Sequence, residues 1–354
     1  MEIKYSYNDI SIVPEEASHI EHRYECDPFI NGMLPIFTAP MSSIISLKNY
    51  KIYQENKIIP IIPRTETIEN RIQHAIGGDW VAMSLQEFVS YFDGSKLPTN
   101  SAYKICIDIA NGHMFSLWEQ VKAIKEIYPQ LTIMVGNIAN PQAYRHLCDY
   151  PIDYVRVGIG GGNGCITSSN TGIHYPMASL ISEIKEVREN MYRFSSIYRP
   201  YPKIVADGGI RNYSDVIKAL ALGADYVMIG SVFAECKESS DEIFYDWKFK
   251  VHKHLGPIKL NTPVEYADAN EINLYHKFYG MASKEGQIAL NGKVTHTAEG
   301  ISKFIPIKYS LYQWTENMKD YLRSAMSYCN AKTLKEFTPQ TIIISNNTFN
   351  SVNK

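Results

Sequence analysis

The sequence lacks the features that would place it in several common protein classes. Its six cysteines stand far apart, with no Cys-x-x-Cys pair, which argues against a secreted disulfide scaffold. No apolar run approaches the ~18 residues of a membrane span, and the N-terminus has no apolar signal-peptide core. With 35 basic and 37 acidic side chains, the net charge of −2 provides no field to attract nucleic acid or an anionic membrane. We therefore expect a cytoplasmic protein with reduced thiols that binds neither nucleic acids nor membranes.

Two common nucleotide-binding motifs and a metal-binding pattern are also missing. Residues 157–167 read VGIGGGNGCIT, but Asn163 or Cys165 occupies the last position of the G-x-G-x-x-G pattern in either register. No P-loop occurs, and His252 and His254 have no matching acidic or cysteine partners, so a solvated face fits them better than a metal site. A nicotinamide cofactor would have to bind without a Rossmann fingerprint.

What the chain does have is a steady alternation of strand-like and helix-like segments. It has 354 residues, 45 % of them hydrophobic, which suffices for a large core. Apolar runs, typical of parallel strands covered on both faces, recur at 34–39, 58–62, 80–84, 104–109, 132–136, 154–157, 203–206 and 226–229. Helix-like stretches lie between them, for example at 115–128 and 141–148. Eight such units predict an α/β protein with a (β/α)₈ TIM barrel; an open doubly wound sheet is the alternative.

Two long stretches interrupt this alternation. One, at 158–176, is rich in Gly, Ser, Thr and Asn, and the other, at 233–310, precedes an amphipathic helix at 313–328. Loops longer than about 15 residues in a compact domain are usually functional, and the loops that follow the strands build the active site of a barrel. We expect one catalytic domain over residues 1–337, with an active-site loop at 158–176 and a flap region at 233–310. The tail at 338–354 is expected to be an edge strand or a loosely attached end.

Polar residues and glycines gather at the predicted strand ends. Asp108 stands near the end of the fourth run, and Asn137 and Asp207 follow the fifth and seventh runs. A carboxylate fixed at a strand end suits ligand hydroxyls. One Asp-Gly pair alone is as well explained by a turn or a helix cap. Because both of the last two strands end in glycine-bearing loops, however, a phosphate site is favoured there, at Gly208, Gly209, Gly230 and Ser231.

The sharpest local signal is the glycine-rich stretch that leads to Cys165. Five glycines in the eight preceding residues disfavour helix and strand, so we expect a tight loop that presents the thiol as a nucleophile. Thr167 can place its hydroxyl beside the same reacting centre. Free cysteines are most often inert core residues, and we expect that for the other five: Cys26, Cys106, Cys148, Cys236 and Cys329.

These motifs together resemble the IMP dehydrogenase / GMP reductase family. The cysteine loop of that family has the usual form GIGPGS-x-C-T-T. Further matches are APMSS at 39–43, DIANG at 108–112, VGN at 135–137, DGGI at 207–210, IGS at 229–231, FYGMAS at 278–283, AEG at 298–300 and SYCNAKTLKEF at 327–337. The family fold is the same (β/α)₈ barrel, and no CBS insertion fits between the second and third strands.

The resemblance implies one of two related reactions, each with a cysteine that attacks C2 of a purine ribonucleotide monophosphate. IMP dehydrogenases oxidise IMP to XMP with NAD and activate water with an Arg-Tyr pair on a mobile flap. GMP reductases convert GMP to IMP and ammonia with NADPH. Residues 284–298 contain neither Arg nor Tyr, which favours the reductase. A CBS-less IMP dehydrogenase, a non-catalytic purine-nucleotide-binding protein and, less favoured, a flavin-dependent barrel enzyme stay as alternatives.

The resemblance also implies a role for individual residues. Cys165 would be the nucleophile, with Thr167 and Glu299 in proton transfer. Asp108 and Asn137 would face the nicotinamide cofactor. Substrate would be bound by Met41, Asp207, Gly208, Gly209, Gly230, Ser231, Met281, Ser283 and Gly300. In family members that bind potassium, loop carbonyls are the ligands, here those of Gly160, Gly162 and Cys165; the family further implies a homotetramer.

The chain departs from the family pattern at several positions. Gly161 and Asn163 replace the usual proline and serine of the cysteine loop, and Ile166 replaces the threonine after the cysteine. The serine normally contacts phosphate, so that contact is lost or replaced. The usual His-Lys after the second strand is Pro63-Arg64, and an arginine cannot lose a proton near neutral pH.

Overall fold

The computed structural model describes residues 2–93, 98, 101–162, 165–194, 200–239, 242–247, 258–259, 272–339 and 341–344. Its centre is an eight-stranded parallel sheet. The strands along the described chain are β1 (Ile10–Ile12), β2 (Ile36–Thr38), β3 (Ile61–Ile62), β4 (Trp80–Met83), β5 (Lys104–Ile107), β6 (Thr132–Ile138), β7 (Tyr154–Val157), β8 (Lys203–Asp207), β9 (Tyr226–Ile229), β10 (Ile243–Trp247), β11 (Ile258–Lys259), β12 (Ile272–Tyr279), β13 (Ser302–Pro306) and β14 (Ile342–Ile344).

The parallel sheet closes into a barrel, as the apolar runs predicted. Its strand order is β2-β9-β8-β7-β6-β5-β4-β3, so strands that follow one another in sequence lie side by side. A parallel bridge between Phe37 and Ile59 joins the two ends, with the Ile59 N–H donating to the Ile36 carbonyl at 2.9 Å. Each of the eight predicted runs overlaps one barrel strand, which confirms the (β/α)₈ fold and excludes the open sheet.

Helices pack around the barrel and carry their own start signals. They are α1 (Tyr50–Glu55), α2 (Ile68–Ile76), α3 (Leu85–Phe92), α4 (Phe115–Ile127), α5 (Pro141–Leu147), α6 (Thr167–Thr171), α7 (Met177–Phe194), α8 (Tyr213–Ala221), α9 (Lys284–Asn291) and α10 (Leu311–Tyr328). Asn140, Asn212 and Ser310 accept backbone N–H groups as N-caps of α5, α8 and α10. The described part of the chain contains no helix long and apolar enough to cross a membrane.

Aromatic side chains fill the barrel at the N-terminal ends of its strands. Trp80, Tyr154 and Tyr226 are the first residues of their strands, and their ring centroids lie 5.5, 6.0 and 5.2 Å from that of Phe37. Lys203 lies over the Tyr154 and Tyr226 rings at 5.4 Å. This packing closes one end of the barrel and leaves the C-terminal ends of the strands for the site.

The two interrupting stretches contain regular structure that the sequence did not predict. The active-site loop at 158–176 includes the short helix α6. The flap region at 233–310 forms an antiparallel sheet in the order β11-β10-β12-β13, and α9 lies between β12 and β13 in sequence. In the tail, β14 pairs antiparallel with β1, so the edge-strand prediction is confirmed for 342–344. The two histidines at 252 and 254 lie outside the described residues.

Candidate active site

A cavity of about 280 Å³ opens at the C-terminal ends of the barrel strands. It is bounded by the cysteine loop, the loops after β8 and β9, the 39–41 segment and the 278–282 and 299–300 segments. Most of the residues proposed from sequence line it: Met41, Asn137, Gly160, Gly162, Cys165, Thr167, Asp207, Gly208, Gly209, Gly230, Ser231, Met281, Glu299 and Gly300. The structure therefore brings together residues that lie more than 250 positions apart in sequence. Asp108 and Ser283 are not part of this lining.

Cys165 is the partly exposed cysteine of the chain. All six cysteines are free, and the other five are buried, which confirms the expectation that they belong to the core. The N–H of Cys165 donates to the Gly162 carbonyl at 3.0 Å, and an antiparallel bridge pairs Cys165 with Gly300. The thiol is thus held at the cavity wall by backbone contacts on both sides. Gly164 and Asn163 lie outside the described residues.

A chain of three polar side chains begins at this thiol. Cys165 Sγ lies 3.2 Å from Thr167 Oγ1, and Thr167 Oγ1 lies 3.3 Å from Glu299 Oε2. Glu299 is also fixed through its backbone: its carbonyl accepts the Ile166 N–H at 3.0 Å. A nucleophile, a hydroxyl and a carboxylate in contact can pass a proton between a reacting ligand and solvent.

A second group of polar side chains lies on the barrel strands. Asp207 Oδ2 accepts hydrogen bonds from Asn137 Nδ2 at 2.8 Å and from Arg156 Nη2 at 2.9 Å and Nε at 3.2 Å. Asn137 Nδ2 also donates to the Gly158 carbonyl at 2.8 Å. Because one carboxylate oxygen of Asp207 accepts from three donor atoms, Arg156 and Asn137 fix the orientation of this carboxylate.

Arg156 is a site residue that the sequence analysis missed. It stands in the middle of β7, its side chain is 8 % exposed, and its Nη1 donates to Asp108 Oδ1 at 3.0 Å, so it joins Asp108 to Asp207. Burial alone would lower the pKa of the guanidinium, but the negative charges around it, led by that of Asp207, raise it above its ordinary value. The available signal was a lone charge within the apolar run YVRV.

The backbone of β6 makes room for this arginine. A Cβ at Gly136 would lie 2.5 Å from the Cβ of Arg156 and close to its carbonyl oxygen, so any larger residue would displace β7. Gly136 also has a positive φ of 149°. Gly136 therefore allows β6 to pack closely against Arg156, and the next residue, Asn137, contacts Asp207.

Asp108 is not among the residues that line the cavity, and two arginines contact it. Besides Arg156, the Nη1 of Arg64 lies 3.4 Å from the Asp108 carbonyl oxygen, and Arg64 Nε lies 3.7 Å from Glu87 Oε2. The arginine that replaces the family lysine thus holds its charge beside the backbone of Asp108. Asp108 contacts Arg156, which in turn contacts Asp207 in the cavity wall, so Asp108 helps to fix the position of Asp207.

Ser283 has a different place from the one expected. Its side chain is fully buried, and its Oγ accepts the Gly286 N–H at 3.0 Å as the N-cap of α9. The hydroxyl is thereby used to begin a helix rather than to line the cavity. Met281, two residues earlier, does reach the cavity.

The glycine loops expected to bind phosphate contact the cysteine loop. The Gly209 N–H donates to the Gly161 carbonyl at 2.8 Å, so this N–H is already used within the protein. Gly208, Gly230 and Ser231 line the cavity beside it. Two of the carbonyls expected to bind potassium also accept hydrogen bonds: that of Gly160 from Ser168 Oγ at 3.1 Å and that of Gly162 from the Cys165 N–H. Potassium binding stays a prediction.

Comparison with known proteins gives the same family by an independent route. The family model described as "IMP dehydrogenase / GMP reductase domain" matches residues 93–352. A protein named inosine-5'-monophosphate dehydrogenase from Chlorobaculum tepidum is 32 % identical over 240 residues, which are 67 % of this chain and 44 % of that protein. The counterpart from Chlorobaculum parvum is 33 % identical over 241 residues, again 44 % of its length. The chain thus spans less than half of these relatives.

A relative with the other name matches along its whole length. A protein named GMP reductase from Staphylococcus aureus strain N315 is 30 % identical over 364 residues, which cover 98 % of both chains. The family model covers most of the chain, and both kinds of relative share it. The chain therefore belongs to the IMP dehydrogenase / GMP reductase family.

Proposed function

We propose that this protein is a GMP reductase-like enzyme: it converts GMP to IMP and ammonia with NADPH, through a covalent bond between Cys165 and the purine. The observation that carries the proposal is the contact chain from Cys165 through Thr167 to Glu299 at the cavity wall. The adjoining segment, residues 284–298, contains no Arg or Tyr to activate water. Full-length similarity to a GMP reductase supports the same choice.

Substrate binding is assigned to Asp207, to the glycine loops after β8 and β9, and to the residues beside them in the cavity wall. Asp207 Oδ2 is engaged by Arg156 and Asn137, so its other oxygen is the one to accept ribose hydroxyls. The phosphate is assigned to the loops of Gly208, Gly209, Gly230 and Ser231. Because the Gly209 N–H is taken by Gly161, the contact at that residue would be one of close approach rather than donation. Met41, Met281 and Gly300 would contact the base.

The chemistry begins when Cys165 Sγ bonds to C2 of the purine. The bond from C2 to the 2-amino nitrogen breaks, and this nitrogen leaves as ammonia after it takes up a proton. Thr167 and Glu299 relay that proton, because the Thr167 hydroxyl lies 3.2 Å from the sulfur and 3.3 Å from the Glu299 carboxylate. A bound nicotinamide cofactor would supply the hydride that C2 needs. The bond from carbon to sulfur then breaks, IMP leaves, and the thiol regains its proton.

Cofactor binding is assigned to Asn137 and Asp108. Asn137 lines the cavity directly, and Asp108 is joined to it through Arg156 and Asp207. This buried network would orient the nicotinamide against the purine without a Rossmann fingerprint. NADPH rather than NADH, potassium at Gly160, Gly162 and Cys165, a homotetramer and a cytoplasmic location complete the proposal and rest on the family resemblance and composition.

Two assays run side by side test the proposal. Purified protein is incubated with GMP plus NADPH, and separately with IMP plus NAD, while the absorbance of reduced nicotinamide is followed. The proposal expects NADPH consumption with release of ammonia in the first assay, and its loss in Cys165→Ala. Turnover in the second assay only would reject it in favour of IMP dehydrogenase. Nucleotide binding in calorimetry without turnover in either assay would indicate a non-catalytic binding protein.

The dehydrogenase is the second candidate because relatives at 32–33 % identity carry that name. It would oxidise IMP to XMP with NAD and would need a base for water. The Thr167 hydroxyl, 3.2 Å from the thiol, and the Glu299 carboxylate in contact with it could take that role.

A further inference from the structure

Gln287 in α9 is a buried polar side chain for which the proposed chemistry has no role. It is 1 % exposed. Its Oε1 accepts the backbone N–H groups of Thr295 at 2.9 Å and His296 at 3.1 Å, and the Thr295 hydroxyl at 3.2 Å. Its Nε2 donates to the His296 carbonyl at 3.1 Å. A single amide thus holds two consecutive residues of the segment that leads into Glu299.

The same amide reaches the other neighbour of Glu299. Gln287 Nε2 lies 3.5 Å from the Ala282 carbonyl, which also accepts the Glu299 N–H at 3.0 Å. Ala282 lines the cavity beside Met281. Gln287 therefore links the segment that contacts the base to the segment that carries the carboxylate.

Helix α9 is itself fixed against the cavity wall. A Cβ at Gly286 would lie 2.6 Å from Met281 Cα and would collide with the Gly280 carbonyl, so the helix backbone packs directly on the 280–281 backbone. Glu285 accepts from Ser302 Oγ at 2.7 Å and lies 3.2 Å from Lys277 Nζ, which ties α9 to β12 and β13. Gln287 thus extends from a rigid base.

We propose that Gln287 is a positioning residue that holds Glu299 against Thr167 for the release of ammonia. The inference rests on the proposed function, since it concerns the proton relay of that reaction. Glu299 is an exposed side chain at the cavity rim, and its 3.3 Å contact with Thr167 depends on where its backbone lies. Gln287 fixes that backbone from both sides, through His296 and through Ala282.

The test compares three variants in two reactions. Gln287→Leu removes every side-chain hydrogen bond. Gln287→Glu keeps an acceptor for the backbone N–H groups of Thr295 and His296 but loses the donor to the His296 carbonyl, and Lys284→Ala changes an exposed residue of the same helix. The first reaction is turnover of GMP with NADPH, which releases ammonia. The second is the single-turnover formation of NADPH from IMP and NADP⁺, which forms the covalent adduct without ammonia.

A displacement of Glu299 should affect the two reactions unequally. Gln287→Leu is expected to lower GMP turnover roughly 10- to 100-fold and to keep the hydride step within about threefold, since small misplacements of a catalytic group cost rates of this order. Gln287→Glu should fall between Gln287→Leu and the wild type, and Lys284→Ala should match the wild type. Equal losses in both reactions, or no loss in either, would overturn the proposal.

Amide hydrogen exchange provides a measurement that needs no activity. In Gln287→Leu, the N–H groups of Thr295, His296 and Glu299 should exchange faster than in the wild type, while α10 exchanges as before. Unchanged exchange at these three residues would overturn the positioning role. If the wild type turned over no GMP, the proposed function would fail, and the exchange result would still decide whether Gln287 fixes the segment of Glu299.

Discussion

The two sides of the cavity differ in how they are held. On the strand-borne side, Asp207, Arg156 and Asn137 are joined by three hydrogen bonds of 2.8–3.2 Å, and Arg156 is nearly inaccessible to solvent. On the loop-borne side, the contacts from Cys165 to Thr167 and from Thr167 to Glu299 are 3.2 and 3.3 Å, and Glu299 is exposed. The first side is set by barrel strands, whereas the second is set by loops and by α9.

This difference indicates a division of work. Groups on rigid strands keep their geometry without a ligand and suit substrate binding. Groups on loops can tighten their contacts when a ligand arrives, as catalytic hydrogen bonds often do. We infer that the strand-borne side and the glycine loops after β8 and β9 bind and orient the nucleotide, and that Cys165, Thr167 and Glu299 on the loop-borne side perform the chemistry. Substitutions on the two sides should therefore differ in which quantity they change.

The largest expected effect is on the loop-borne side. Cys165→Ala removes the nucleophile and should lower GMP turnover roughly a thousandfold or more, while the nucleotide dissociation constant stays within a few-fold of the wild type in calorimetry. Cys148→Ala, which changes a buried core cysteine, is the control and should keep its turnover. A large loss of nucleotide affinity in Cys165→Ala would contradict the division of binding and chemistry between the two sides.

On the strand-borne side, the expected effect is on stability and binding. Arg156→Leu leaves Asp108 and Asp207 without their buried partner, and removing one member of a buried ion pair costs about 3–5 kcal/mol. Urea unfolding should show this loss. Arg145→Ala, which breaks a pair with Asp149 whose side chains are 51 % and 64 % exposed, should cost under about 1 kcal/mol. Equal losses in the two variants would show that the Arg156 network adds no special rigidity.

Glu299→Gln tests whether Glu299, on the loop-borne side, acts in the chemistry or in substrate binding. The amide keeps the shape of the side chain but cannot exchange a proton, so GMP turnover should fall roughly 100-fold. The Michaelis constant for GMP should change little, because Asp207 and the glycine loops remain. Steady-state kinetics separates the two parameters. A raised Michaelis constant with unchanged turnover would place Glu299 among the binding groups.

The smallest expected effect is on how the stability of the fold depends on pH, through His113 next to the end of β6. Burial lowers the pKa of His113 below its ordinary value of 6.5, and its Nε2 accepts the Ala139 N–H at 3.1 Å. The unfolded chain therefore binds this proton at higher pH than the folded one. The contribution to stability is full above about pH 6.5 and is lost as the pH falls through the folded-state pKa. Urea midpoints between pH 5 and 8 should fall less steeply in His113→Gln, whose amide oxygen accepts without titrating.

The barrel could be predicted from sequence because its strands are buried on both faces. Runs such as 154–157 and 226–229 are largely apolar, and their predicted bounds equal those of β7 and β9. The antiparallel sheet of β10, β12 and β13 could not be predicted in this way. Its strands mix polar and aromatic residues, as in INLYHKFY, and β10 pairs with β12 across a long intervening stretch of chain.

Site residues that belong to a recognisable sequence motif could be predicted. Site residues whose role depends only on contacts in the folded chain could not. Cys165, Asp207 and Glu299 stand in recognisable motifs and meet in one cavity. Arg156 and Gln287 were missed because their importance lies in buried hydrogen bonds to residues that the sequence does not place beside them. Ser283 caps α9 and lies outside the cavity lining, and the sequence could not distinguish these roles because a serine before a helix suits either one.

The most direct test of the account is mass spectrometry of the Cys165 peptide after the protein is trapped with nucleotide. Wild-type protein is mixed with IMP and NADP⁺, or with GMP alone, then quenched and digested, and Cys165→Ala is treated in parallel. The account predicts a purine nucleotide covalently attached to Cys165 in the wild type and no adduct in the variant. An adduct on another residue, or the absence of any adduct while GMP is turned over, would contradict it.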